Sequence, residues 1–147
     1  MHYVSVKSGN ERMVDKPITR VLVIGEDSTT TDLLKMTLRP GLYEIIPVRS
    51  IEGALQAAQT HNPQLVILDI IVQSDDELLL CKKIREFSQV PILVLSGLKK
   101  PDIVASFLDG GADGFLTKPV QNEVLVAQIN NLTRRAGFER EASATII

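Results

Sequence analysis

Five short runs rich in valine, isoleucine and leucine recur along the chain, and they are continuous where a half-exposed strand would alternate. They are RVLVIG (20–25), YEIIPV (43–48), LVILD (65–69), PILVLS (91–96) and GFLTK (114–118). Strands apolar on every side chain need cover on both faces of their sheet. Segments of helical composition lie between and after them, at 31–38, 51–60, 76–87, 102–108 and 122–133. In the last, Leu125, Ile129 and Leu132 fall on one face. Helix-start chemistry sits where it is needed: Ser28 to Thr30, Ser50, and Pro101-Asp102. Strand alternating with helix requires parallel crossovers, so the expected fold is α/β, a doubly wound five-stranded parallel sheet of (βα)5 type.

A chain of 147 residues, 44% hydrophobic and 23% charged, suffices for one domain with its own core and not for two. Residues 1–18 are polar and are expected to be an irregular extension, 19–136 the domain, and 137–147 a tail or linker remnant. A net charge of −2, few aromatics and no tryptophan offer neither a basic field nor a stacking surface, so direct nucleic-acid binding is not expected. The lone Cys81 forms no internal disulfide and belongs to no zinc-type cluster. Residues 1–17 hold no signal-type apolar stretch and no run is long enough to span a bilayer. A cytoplasmic protein with no membrane partner is the expectation.

In doubly wound sheets, ligands bind beyond the carboxyl ends of the strands, where the strand order reverses. Those ends carry Glu26-Asp27, Asp69, Ser96 and Lys118-Pro119. For a strand order 2-1-3-4-5, they would converge as acids, a hydroxyl and a cation. Singly, each is as readily a group that solvates a loop or caps a helix. Together they suit phosphoryl chemistry. A carboxylate can attack phosphorus if charge on the dianion is offset, and magnesium needs only one or two carboxylates besides water and phosphate oxygens. Ser96 and Lys118 could take the remaining phosphoryl oxygens.

RVLVIGEDS, PQLVILDIIVQSDDELLLCKKIRE, VPILVLSG and GGADGFLTKPV, in this order and spacing, resemble the receiver domain of bacterial two-component response regulators. The likeness covers about residues 19–136 and implies a flavodoxin-like sheet of order 2-1-3-4-5. It implies that Asp69 accepts the phosphoryl group, that Glu26 and Asp69 hold Mg2+ with the backbone carbonyl of Ile71, and that Ser96 and Phe115 switch. Lys118, before a cis Pro119, would contact the phosphoryl group. A histidine kinase or phosphotransfer protein is the implied partner. The chain would be a signalling domain that assists its own phosphorylation, not a turnover enzyme.

Several positions depart from that pattern. Gly25 stands where receivers carry a second acid, so weaker Mg2+ binding is expected; Asp27, one step on, is a remote substitute expected to face the loop. Gln73 and Glu77 replace the usual proline and glycine, which leaves Asp75 and Asp76 as helix-start acids. Ile71 and Leu98 cannot orient a water, so slow loss of the phosphoryl group is expected. A homodimer through the fourth helix, fifth strand and fifth helix is a candidate assembly, against which Gly114, Gln128 and Asn130 replace an acid and two arginines. Gly110 to Gly114 is expected to be a cap and turn. The competing reading is a pseudo-receiver, a binding module that works without phosphorylation. An aspartyl phosphohydrolase would need a second acid two residues after Asp69, and a flavodoxin-like electron carrier a phosphate loop to which Thr29–Thr31 is the nearest approach.

Overall fold

The computed structural model describes residues 3–7, 13–71, 74–98 and 100–145. The expected sheet is present. Its strands are β3 (Thr19–Ile24), β4 (Tyr43–Val48), β5 (Leu65–Ile70), β6 (Ile92–Ser96) and β7 (Gly114–Thr117), all parallel, in the order β4-β3-β5-β6-β7. Counted within this sheet the order is 2-1-3-4-5, with the reversal between β3 and β5. The helices are α1 (Thr29–Thr37), α2 (Ile51–His61), α3 (Asp75–Arg85), α4 (Pro101–Asp109) and α5 (Asn122–Thr145).

Two segments differ from expectation. The extension expected to be irregular contains β1 (Tyr3–Lys7) and β2 (Met13–Pro17), paired antiparallel from Tyr3 opposite Pro17 to Lys7 opposite Met13. Its YVSVK alternates apolar and polar residues, the period of a strand with one solvated face. The last helix passes residue 136 and runs to Thr145. The stretch FEREASA is rich in helix formers and holds no proline, so nothing in it stops propagation.

Side chains on a strand alternate between faces, and here both faces are buried. Leu22, Ile24, Val66, Leu68, Ile92 and Val94 pack with Ala54, Ala57 and Ala58 of α2, Leu80 and Ile84 of α3, and Phe107 of α4. Val21, Val23, Leu65, Ile67, Leu93 and Leu95 meet Leu34 and Leu38 of α1 and Leu125, Ile129 and Leu132 of α5. Thus α1 and α5 cover one face and α2, α3 and α4 the other. Each buried aliphatic side chain contributes about 2 kcal/mol relative to an exposed one, which fixes the register of the sheet.

Local rules set the helix starts. Ser50 Oγ accepts from the Gly53 N–H at 3.2 Å and Ser74 Oγ from the Asp76 N–H at 3.3 Å. Ser74 also donates to Glu77 at 2.5 Å, and Asp75, Asp76 and Glu77 occupy the positive end of α3. Pro101 opens α4. The Gly110–Gly114 run caps α4 and turns into β7, as expected. Gly111 has φ +114°, and a Cβ there would lie 2.6 Å from the Arg85 Cγ. Arg85 in turn donates to the Val90 carbonyl at 2.7 Å and pairs with Asp113 at 2.7 Å, while Asp113 accepts from the Ile92 N–H. This network ties the end of α3 to the entrances of β6 and β7.

Candidate functional site

Strand parity determines where Asp69 points. Leu65 and Ile67 face α1 and α5, so Asp69 faces the same side at the carboxyl end of β5, where it is 6% exposed. Lys118 follows β7, whose end is held to β6 by the Lys118 N–H donating to the Ser96 carbonyl at 2.8 Å. Its ammonium forms an ion pair with Asp69 Oδ1 and donates to the Ile70 carbonyl at 3.3 Å. The Lys118-Pro119 peptide is cis, as expected.

The other oxygen has a partner that the sequence reading missed. Thr30 Oγ1 donates to Asp69 Oδ2 at 2.6 Å, and Thr30 is 8% exposed. Thr30 lies one turn before Leu34, and Leu34 one turn before Leu38, so the contacts that seat α1 on the sheet also aim this hydroxyl at the end of β5. The run of threonines at 29–31 was the one available signal, and it points to no partner 39 residues away.

Glu26 is exposed, yet it lines the same cleft as Asp69. That cleft, about 240 Å³, is also bordered by Gly25, Arg49, Ser50, Ile71 and Glu77. Arg49 is a further residue that sequence reading did not bring to the site. Asp27 accepts from the Thr29 N–H at 3.0 Å and serves the entry of α1, the loop role expected for it. Ser28 caps with its backbone only, its hydroxyl donating to Asp32 at 3.0 Å.

Ser96 is 1% exposed at the end of β6, paired in register with Ile70. Its Oγ accepts from the Leu98 N–H at 3.1 Å, and among the described residues no hydrogen bond joins it to Asp69. Phe115 is half-buried, its ring centroid 6.1 Å from that of Phe107 on α4. Ile71 is 47% exposed beside the cleft, and Leu98 packs against the core under α4. Gln73 lies outside the described residues.

A sheet wound in this order, with a buried acid at the reversal point and a lysine from the last strand upon it, can be compared with known proteins. The family model for the response regulator receiver domain matches residues 21–130. The chain belongs to the response regulator receiver family. It is 31% identical over 116 residues to the response regulator protein GraR of Staphylococcus epidermidis, an alignment covering 79% of this chain and 52% of that protein. It is likewise 31% identical over 119 residues to the transcriptional regulatory protein CseB of Streptomyces avermitilis, covering 81% and 51%. The chain therefore spans about half the length of the curated relatives it matches. A two-component response regulator from Clostridium difficile superposes with a TM-score of 0.72 at 29% identity, over 80% of this chain and 97% of that one.

Receivers in general use Mg2+, and this site offers the least that the ion requires. Asp69, Glu26 and Ile71 border the same cleft. Magnesium is commonly held by one or two carboxylates, with waters and phosphate oxygens filling its octahedron. Two carboxylates and a carbonyl fit that demand. Among the described residues no three of the His, Cys, Asp and Glu side chains stand close enough together to hold a metal by themselves, although Glu77 also borders the cleft. Among the described residues, no helix is long and apolar enough to cross a membrane.

Proposed function

We propose that this receiver accepts a phosphoryl group on Asp69 from a histidine kinase or phosphotransfer protein and signals through α4, β7 and α5. The observation that carries the reading is the Lys118–Asp69 ion pair at the sheet's reversal point, beside a cleft that also holds Glu26. Mg2+, held by Glu26, Asp69 and the Ile71 carbonyl, would supply positive charge to offset the incoming dianion. The chain's own groups do the rest. Burial keeps water from the carboxylate, and Lys118, already in place, can pass from Asp69 Oδ1 to a phosphoryl oxygen and exchange one anionic partner for another.

The output follows from where Ser96 and Phe115 now rest. A dianion at Asp69 attracts the Ser96 hydroxyl, which must release the Leu98 N–H. The β6–α4 connection moves with it, and the Phe107–Phe115 contact repacks. The equilibrium between two packings of the α4–β7–α5 face then shifts, which is where a partner, or a second copy of the chain, would be selected.

A pseudo-receiver that works without phosphorylation is the second reading, favoured by Gly25: a Cβ at that position would lie 3.1 Å from the Asp69 Cβ, so no second acid fits without movement. Incubation with acetyl phosphate and Mg2+, followed by intact-mass measurement, separates the two. The receiver reading expects a gain of one phosphoryl group that Asp69→Ala abolishes. A protein that stays unmodified, or an Asp69→Ala variant modified equally, supports the second.

A further inference from the structure

We propose that Thr30 is a positioning residue that restrains Asp69, holding the receiver towards its unphosphorylated state; this rests on Asp69 being the phosphoryl acceptor. The two carboxylate oxygens are held in different ways. Oδ1 is paired with the mobile-ended Lys118 ammonium, whereas Oδ2 receives a short hydrogen bond, 2.6 Å, from the hydroxyl of Thr30, a residue 8% exposed on a helix. Lys118 can follow the charge onto an incoming phosphoryl group. Thr30 cannot, because α1 is clamped to the sheet through Leu34 and Leu38 and its hydroxyl stays on Oδ2.

Consider the transfer from acetyl phosphate. Asp69 Oδ1 forms a bond to phosphorus, the bond from phosphorus to the acetate oxygen breaks, and acetate leaves with the electron pair. No proton is needed. Asp69 begins as an anion shared over both oxygens and ends as an acyl phosphate, with Oδ2 its neutral carbonyl. A hydrogen bond to an ionised acceptor is roughly twice as strong as one to a neutral acceptor, so the Thr30 bond weakens as the reaction proceeds. It thus favours the free carboxylate. In the reverse direction negative charge returns to Oδ2 as the phosphorus bond breaks, and the same hydroxyl assists the departure. Thr30 therefore lowers phosphoryl occupancy from both sides. Gly25, just past the end of the neighbouring β3, supplies no second acid to draw a metal and oppose it.

The test compares the native chain with Thr30→Val, which keeps the shape and removes the donor, and Thr30→Ser, which keeps the donor. Each is titrated with acetyl phosphate at fixed Mg2+ and read by intact mass; phosphodonor is then removed and the decay followed. The expected result is a half-saturating phosphodonor concentration about five- to tenfold lower for Thr30→Val and a longer-lived phosphoprotein, with Thr30→Ser close to native. A group that served only packing would lower the melting temperature of Thr30→Val without raising its occupancy. Modification of Thr30→Val alone would support the proposal. Native modification with an unchanged or weaker Thr30→Val overturns it and leaves the acceptor role of Asp69 standing. If neither native protein nor either variant gains mass, the acceptor role and the restraint fail together.

Discussion

Gly25 and Asp69 lie so close across β3 and β5 that a Cβ on the glycine would stand 3.1 Å from the Asp69 Cβ and 3.4 Å from the Asp69 carbonyl oxygen. The glycine therefore does more than omit an acid: it lets the end of β3, where the Gly25 N–H donates to the Val48 carbonyl, close against the acceptor. Restoring the acid needs a shift of a few tenths of an ångström. Gly25→Asp is expected to tighten Mg2+ binding by about tenfold, roughly the 1.4 kcal/mol of a regained ligand contact. It should cost about 1 kcal/mol of stability from crowding. Calorimetric Mg2+ titration and thermal unfolding read the two effects; an unchanged Mg2+ affinity would show that Gly25 is not at a metal-binding position.

Removing Lys118 leaves the Asp69 carboxylate buried without its charge partner. Lys118→Ala is expected to lose about 1–3 kcal/mol of stability at neutral pH, the lysine being 29% exposed and the acid 3% at the side-chain level. Adding Asp69→Asn should recover part of that loss, because the amide carries no charge to strand. Chemical denaturation of the two singles and the double measures it, and simple additivity would contradict a coupled pair.

Ile71 lines the cleft of the acceptor with hydrocarbon and Leu98 packs against the core, and neither side chain can hold an attacking water. Phosphorylated protein freed of phosphodonor is expected to decay over minutes or longer in Mg2+ buffer. A lifetime of seconds would mean that another group orients the water.

Arg85 fills the space that a side chain on Gly111 would need. Gly111→Ala combines that clash with a backbone at φ +114° and is expected to cost about 2 kcal/mol or more, while leaving phosphorylation of the folded fraction unchanged. Loss of modification in protein that is still folded would instead couple this turn to the site.

How far the residues disclosed this in advance differs by element. The parallel, doubly covered sheet was legible because continuous runs such as LVILD exclude a half-exposed strand and because helices between them force parallel crossovers; its strand order was implied only by the resemblance to receivers. Asp69, Glu26, Ser96 and Lys118 were legible as strand ends that a parallel sheet gathers. Thr30 and Arg49 were not: what makes them site groups is packing across the sheet, which spacing along the chain does not encode. The β1–β2 hairpin is hard to read in the sequence because each strand is five residues long and lies in a polar stretch. The far half of α5 is equally hard to read, because polar helix formers without an apolar stripe suit a tail as well as a helix.

Burial among Leu80 and Ile84 pushes the Cys81 pKa up from 9.0 to about 11. The thiolate is thus scarce in the folded state at pH 8. A disulfide reagent is expected to label the native protein slowly and the unfolded protein fully. The sign of the linked effect is fixed: with the folded value raised, Cys81 contributes stability below pH 9 that is lost between pH 9 and about 11. Rapid stoichiometric labelling of native protein at pH 8 would show the thiol to be exposed.

The most direct measurement locates the modification itself. Protein treated with acetyl phosphate and Mg2+ is reduced with borohydride, which converts an acyl phosphate to an alcohol, then digested and sequenced by mass spectrometry. Homoserine is expected at position 69 and at no other acid. Homoserine elsewhere, or none in protein whose cleft binds Mg2+, would contradict the acceptor role of Asp69.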